Sequence, residues 1–149
     1  MMSLLQRHAV TAETLKRWQG REFAWGTADC ARLAACHLRR AGHQPPLNRS
    51  GQWRTALGAA RALQRAGFAN LADALDAVPL LRIAPAAAMQ GDIVALPSED
   101  RFEALGIVLG NGRVLSWIGG DAAPGCAVLQ PVQPPAMAWR VLFEMGAGA

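Results

Sequence analysis

Tyrosine is absent from the chain, lysine occurs once (Lys16) and cysteine three times, and the cysteine shortage excludes most. Cys30, Cys36 and Cys126 are odd in number and widely spaced, so they are not the paired framework of a disulfide-stapled domain. No CxxC pair occurs, and Cys36 adjoins His37 directly, so the spacing of a zinc-ligand set is missing. No metal and no cofactor are expected: there is no Walker spacing, no GxGxxG, no serine nucleophile elbow, no EF-hand and no HExxH. Long apolar runs are missing as well. Nothing approaches the roughly 20 uninterrupted apolar residues of a membrane-spanning helix, so no membrane is expected as a partner. The first ten residues hold Arg7 and His8 and no continuous apolar core, so no signal peptide is expected. Acidic residues are outnumbered, 11 against 15 basic ones, for a net charge of +4. That excess is scattered, and no basic run exceeds Arg39-Arg40. A nucleic-acid binder concentrates its charge in a stripe with interleaved aromatics, so nucleic acid is not expected as a partner. A basic face could still meet an acidic protein or an anionic cell-wall polymer.

What is present is a chain that folds. Of its 149 residues 52% are apolar and 17% charged, which excludes disorder and gives one domain with a real core. The character changes near residue 85, from helical to strand-like, and segregation of that kind predicts an α+β fold with N-terminal helices packed on a C-terminal antiparallel sheet. Thr11 is expected to cap a first helix over residues 11–19, which Gly20 ends. A second helix is expected over 29–42, with Cys30, Leu33, Ala34, His37, Leu38 and Ala41 on its apolar face. A third over 53–66 stops at Gly67, and Asn70 caps a fourth that ends before Pro79. Residues 85–91 connect to strands over 92–96, 105–109, 113–118, 127–129 and 138–143. Asn111-Gly112 between the second and third is the strongest short hairpin signal a sequence can carry. The single domain 1–149 thus divides into an N-terminal arm and helix (1–22), a helical half (23–84), a sheet half (85–145) and a frayed tail (146–149).

Two pieces carry a resemblance. One is Phe23-Ala24-Trp25-Gly26-Thr27-Ala28-Asp29-Cys30, which enters a helix. The other is Gly91-Asp92-Ile93-Val94-Ala95-Leu96, followed by Ala104-Leu105-Gly106-Ile107-Val108-Leu109-Gly110-Asn111-Gly112. Together they resemble the NlpC-type branch of the papain-like cell-wall peptidases, in which an aromatic-Gly segment leads to Asp-Cys at a helix start. A Gly-Asp strand follows there, then a strand written His-x-Gly-Ile-x-x-Gly. The chain looks especially like small proteins encoded beside phage and prophage tail genes, whose tails also end in Ala-Trp-Arg-Val, here Ala138-Trp139-Arg140-Val141. The resemblance implies a papain-like (NlpC-type) fold and makes Cys30 the candidate nucleophile. A cysteine at a helix N-terminus feels the positive end of the macrodipole, which favours thiolate. A histidine on the facing strand would accept its proton, and a third polar group would orient the imidazole. Backbone N–H groups beside Asp29 could serve an oxyanion.

The motif's histidine falls on Ala104, which cannot take a proton. Of the three histidines, His37 lies seven residues beyond Cys30 on the same helix, about 10 Å along its axis. His43 lies further still, and His8 is fixed by no local pattern. The third position falls near Ser116 or Trp117. Cys30 therefore has two readings, a nucleophile without a visible base and a small apolar residue on a packed helix face, and the second is preferred. Asp29 is expected as a helix cap, Asp92 as a local hydrogen-bonding group in a Gly-Asp turn, and His37 as a bonded core histidine. Gly106 is expected to allow close approach beneath the helix, and Trp25 and Trp53 to be core residues or the lining of a groove.

Two functions follow as expectations. The first is a structural component of a phage or prophage tail, near the tail tip or baseplate, assembled in the bacterial cytoplasm and carried in the virion. Its partners would be other tail proteins, with residues before Thr11 and the loop 44–51 as contact points. The second is an active peptidase that cleaves the peptidoglycan stem through a Cys30 thioester, with a base from His8 or from a partner subunit.

Overall fold

The computed structural model describes residues 4–45, 53–78, 80–97, 104–117 and 125–142. The tail 146–149, loop positions 46–51, and the strand ends at Ile118 and Phe143 lie outside the described residues. Among the described residues four helices come first, α1 (Leu4–Trp18), α2 (Cys30–Arg40), α3 (Ala56–Arg65) and α4 (Leu71–Asp76). Six strands follow, β1 (Leu81–Ile83), β2 (Ile93–Leu96), β3 (Ala104–Gly110), β4 (Arg113–Ser116), β5 (Ala127–Leu129) and β6 (Met137–Arg140), with a 3-10 turn at Pro85–Ala87. The strands form one antiparallel sheet in the order β1-β6-β2-β3-β4-β5. The fold is α+β, with helices N-terminal and sheet C-terminal.

Local chemistry explains most of these elements. Asp29, Thr55 and Asn70 each stand in extended backbone at a helix start and accept a hydrogen bond from the N–H three residues on. At the end of α2, Gly42 has φ +100, its N–H bonds the Arg39 carbonyl, and the His43 N–H bonds the Leu38 carbonyl. That pair of bonds is a Schellman motif, and only glycine adopts its positive φ without strain. The same two bonds close α3 at Gly67 and Phe68. The β3–β4 hairpin turns through Asn111 and Gly112, both at positive φ, as an Asn-Gly turn requires.

Two elements differ from expectation. The first helix begins at Leu4 and Thr11 lies inside it, where its hydroxyl donates to the Arg7 carbonyl one turn back. The buried stripe of α1 is Arg7, Thr11, Thr14 and Trp18, which has helical spacing but mostly polar content. A search for apolar periodicity passes over such a helix. The edge strand β1 was also unexpected. It is three residues long and pairs with β6 through Leu81↔Arg140, Arg82↔Trp139 and Ile83↔Ala138.

The sheet has two faces, and strand alternation assigns residues to each. Ile93, Ala95, Leu105, Ile107, Leu115 and Trp139 join one core with Leu33, Ala34 and Leu38 of α2 and with residues of α3 and α4. Val94, Val108, Val114 and Ala138 form a smaller cluster on the opposite face, with Ile83, Ala88 and Leu96 packed against it. Gly106 belongs to this second face. A Cβ there would stand 2.3 Å from Val114 Cγ1 and 3.2 Å from the Leu115 carbonyl oxygen, so its small size serves the β3–β4 contact and not, as expected, the approach of the helix.

Candidate functional site

The head of α2 is built from a turn that is fixed on both sides. Asp29, 1% exposed, accepts from the Arg32 N–H through Oδ1 at 2.9 Å. Its Oδ2 accepts from the Gly26 N–H at 2.8 Å and from Trp53 Nε1 at 2.7 Å. Arg32 Nε returns a bond to the Gly26 carbonyl at 3.0 Å, and its guanidinium carbon lies 4.3 Å from the centre of the Trp53 ring. Gly26 has φ +86, and a Cβ at that position would come within 1.9 Å of the Trp53 carbonyl oxygen. Asp29 is thus the expected helix cap, and it is also the strut that joins the turn, the helix and the segment at Trp53. Three N–H donors on its two oxygens hold its position.

Cys30 is the first residue of α2, half-buried against the main core. The same core holds a chain of edge-to-face aromatic contacts. Trp18 meets Trp117 at 6.0 Å, Trp117 meets Phe23 at 5.7 Å, and Phe23 meets Trp25 at 4.9 Å. Each such contact adds about 0.5–1.5 kcal/mol beyond the area it buries. Trp25 is half-buried at the end of this chain and Trp53 is buried. Trp53 serves packing and hydrogen bonding, which is one of the two roles expected of it.

All three histidines are bonded towards the other end of α2. His37 is fully buried, with Nε2 2.8 Å from the Gly91 carbonyl and Nδ1 2.8 Å from Thr14 Oγ1. The carbonyl requires Nε2 to carry the proton, so Nδ1 of the neutral ring is an acceptor, and the Thr14 hydroxyl lies between it and the Val10 carbonyl at 3.1 Å. Burial disfavours the imidazolium and pushes the pKa of His37 down to about 4, against the opposing pull of the Gly91 carbonyl. His8 on α1 lies against the Gln90 side chain, next to Gly91. His43 bonds the Leu142 carbonyl. His37 stands about two helical turns along α2 from Cys30. His8, expected as the base if the site were active, lies against the Gln90 side chain.

The strand positions named by the motif do not complete a triad either. Ala104 pairs with Leu96, whose side chain packs on the sheet face opposite α2, and cross-strand partners share a face. Leu105 and Ile107 alternate onto the α2 face. Ala104 therefore lacks a proton acceptor and also stands on the face turned away from the core into which Cys30 packs. Ser116 donates its hydroxyl to the Leu105 carbonyl at 2.8 Å, and Trp117 Nε1 donates to the Arg21 carbonyl at 3.0 Å.

Asp92 is a larger hub than a Gly-Asp turn suggests. It is fully buried and accepts from Arg7 Nη1 at 2.9 Å, Arg140 Nε at 2.8 Å, Met89 N at 2.9 Å and Val141 N at 3.0 Å. Arg7, 4% exposed, also donates to the carbonyls of Gln90 and Val141. One carboxylate thus ties α1, the entry to β2 and the exit of β6 together. Sequence reading missed Arg7 because it falls in the arm before the expected helix, where a lone arginine reads as solvated. The Ala-Trp-Arg-Val strand was the only sign of Arg140.

Among the described residues no group of three or more His, Cys, Asp or Glu side chains could hold a metal ion. None of the three cysteines is in a disulfide, and burial pushes the Cys126 thiol up to about 12. No described helix is long and apolar enough to cross a membrane. The family model described as "Domain of unknown function (DUF6950)" matches residues 4–141. No curated protein matches the chain.

Proposed function

We propose that this chain, which belongs to the DUF6950 family of domains of unknown function, is an assembly component of a phage or prophage tail, near the tip or baseplate. In this reading it is built on an NlpC-like, papain-type fold without a working reaction centre. Support for the fold comes from a half-buried cysteine at the N-terminus of a helix packed on an antiparallel sheet. Gly91-Asp92 enters β2, and the β3–β4 hairpin carries Gly106-Ile107 and Asn111-Gly112, as in the family it resembles. The observation that carries the non-catalytic reading is that all three imidazoles have hydrogen-bond partners of their own. Cysteine attack on a peptide bond needs a base within about 3 Å of the sulfur or one water away. Here every imidazole is bonded elsewhere and the motif's histidine is Ala104.

Two measurements test the proposal. Purified protein is incubated with peptidoglycan beside a Cys30→Ala variant, and soluble muropeptides are followed. Neither protein is expected to release them. Release that depends on Cys30 would overturn the non-catalytic reading in favour of a peptidase whose base comes from a partner subunit. Mass spectrometry of purified particles is expected to find the chain in the tail, alongside other tail proteins, and its absence from particles removes the assembly role.

A further inference from the structure

The outward face of α3 carries a feature that the site above does not use. Ala59, Ala62 and Leu63 are the buried residues of this helix. At 100° per residue the opposite side is centred on Leu57, Arg61 and Gln64, with Arg65 at its margin. Leu57 stands on that side with 47% of its surface exposed, and Arg61, Gln64 and Arg65 are exposed around it. Arg54, also exposed, lies just before the Thr55 cap. Among the described residues none of the three arginines forms a salt bridge, in contrast to Arg7, Arg17, Arg82 and Arg140. The helix itself contains no Asp or Glu. Its unpaired N–H groups add positive potential at the Arg54 end.

We infer that this face docks an acidic segment of a partner protein, one that sets carboxylates about one helical turn apart against Arg61 and Arg65 and covers Leu57 with an apolar side chain. Charge complementarity fixes the sign of the partner. Eight residues separate Leu57 from Arg65, so the face is about 12 Å long, the length of two helical turns. Arginine offers carboxylates a planar fork of donors, which a flexible segment can meet in pairs. Leu57 decides the class of partner. A nucleic acid or an anionic polysaccharide gains little from an exposed leucine, and the face has no aromatic ring on which a base could stack. A protein segment uses both the arginines and the leucine. This inference does not depend on the tail assignment.

The test uses the full chain and a fluorescent 14-residue peptide with Glu at positions four apart and a central Leu, followed by anisotropy in about 0.1 M salt, where screening acts over about 10 Å. The double variant Arg61→Glu/Arg65→Glu is expected to weaken binding by about tenfold or more, and Leu57→Ser by a few-fold. A control with the same change in net charge, Arg39→Glu/Arg113→Glu, is expected to change it by less than about twofold, since both residues are exposed and remote in sequence from α3. Near-UV circular dichroism shows that each variant keeps its fold, which these exposed positions should allow. Equal loss in both double variants, no binding of the peptide by the wild-type chain, or binding of polyphosphate as tight as that of the peptide and indifferent to Leu57→Ser, would each overturn the inference.

Discussion

Replacing Asp92 by alanine is the sharpest test of how α1 is held. The substitution removes four accepted hydrogen bonds at a fully buried position. The donors lose unequally. Arg140 has a side chain 28% exposed and can turn to water, so its loss is small. The amides of Met89 and Val141 lose an acceptor in a dry setting, at about 1 kcal/mol each. Arg7 is the large term, a cation 4% exposed that loses its carboxylate while still donating to the carbonyls of Gln90 and Val141, and breaking a buried ion pair costs about 3–5 kcal/mol. The total, about 5–7 kcal/mol, is comparable with the whole stability of many domains, about 5–15 kcal/mol. With a urea m-value of about 2 kcal/mol/M, the unfolding midpoint should fall by about 2.5–3.5 M. Arg7→Leu should cost less, about 2 kcal/mol, because Asp92 then keeps Arg140 and two amides. The double variant should be more stable than the sum of the two single losses implies. The assay is urea denaturation followed by tryptophan fluorescence and far-UV circular dichroism together. A loss below about 1 kcal/mol for Asp92→Ala, or a larger loss for Arg7→Leu, would refute the reasoning.

Three further outcomes follow from the same contacts. His37 has a folded pKa of about 4 against an unfolded value near 6.5, so as pH falls through 6.5 the unfolded chain takes up a proton that the folded one refuses. Stability is therefore lost between about pH 6.5 and 4, by about 3 kcal/mol in all, and His37→Gln should flatten that part of the pH profile measured by urea midpoints. Gly26→Ala places a methyl 1.9 Å from the Trp53 carbonyl oxygen at a positive φ, and should cost at least about 2 kcal/mol and lower the midpoint of thermal unfolding. Cys126, 2% exposed and with its thiol pushed up to about 12, should resist a thiol reagent in the folded protein, while Cys30 and Cys36 react. Three equally fast thiols would contradict its placement.

The sequence and the structure part company at identifiable residues. Helices α2, α3 and α4 were legible because capping side chains and closing glycines announce their ends and an apolar stripe marks their inner faces. The hairpin was legible because Asn111-Gly112 suits a turn with two positive φ values. Helix α1 was half legible. Its inner face pairs Arg7 with Asp92 and Thr14 with His37, and polar pairing over about 80 and about 20 residues leaves no periodic trace. Strand β1 is three residues at a sheet edge, too short for alternation to show. At the candidate site Asp29 and Cys30 could be placed by the helix start alone. The turn's second anchor, Trp53 Nε1 on Asp29, could not, because it joins residues 24 apart through a side chain. The three histidines could be counted from the sequence, but that His8 meets Gln90 and His37 meets Gly91 required coordinates.

Restoring the motif's histidine is the natural way to ask whether the site is one mutation from activity, and the sheet predicts that it is not. Ala104 pairs with Leu96 on the face that carries Val94, Val108 and Val114, while the α2 face takes Leu105 and Ile107. An imidazole grafted at 104 starts from the wrong side of the strand. Bringing it across requires a one-residue shift in register, which would drive Leu105 and Ile107 out of the main core. Each of those side chains contributes about 1.5–3 kcal/mol by burial, so the shift is opposed by more than a single thiolate–imidazolium pair returns. Ala104→His in a Cys36→Ser background should therefore leave the pH profile of Cys30 alkylation unchanged and release no muropeptides from peptidoglycan. A tenfold faster alkylation near neutral pH, lost again in Ala104→Gln, would mean that the strand presents residue 104 to the helix and that the face assignment given to β3 is wrong.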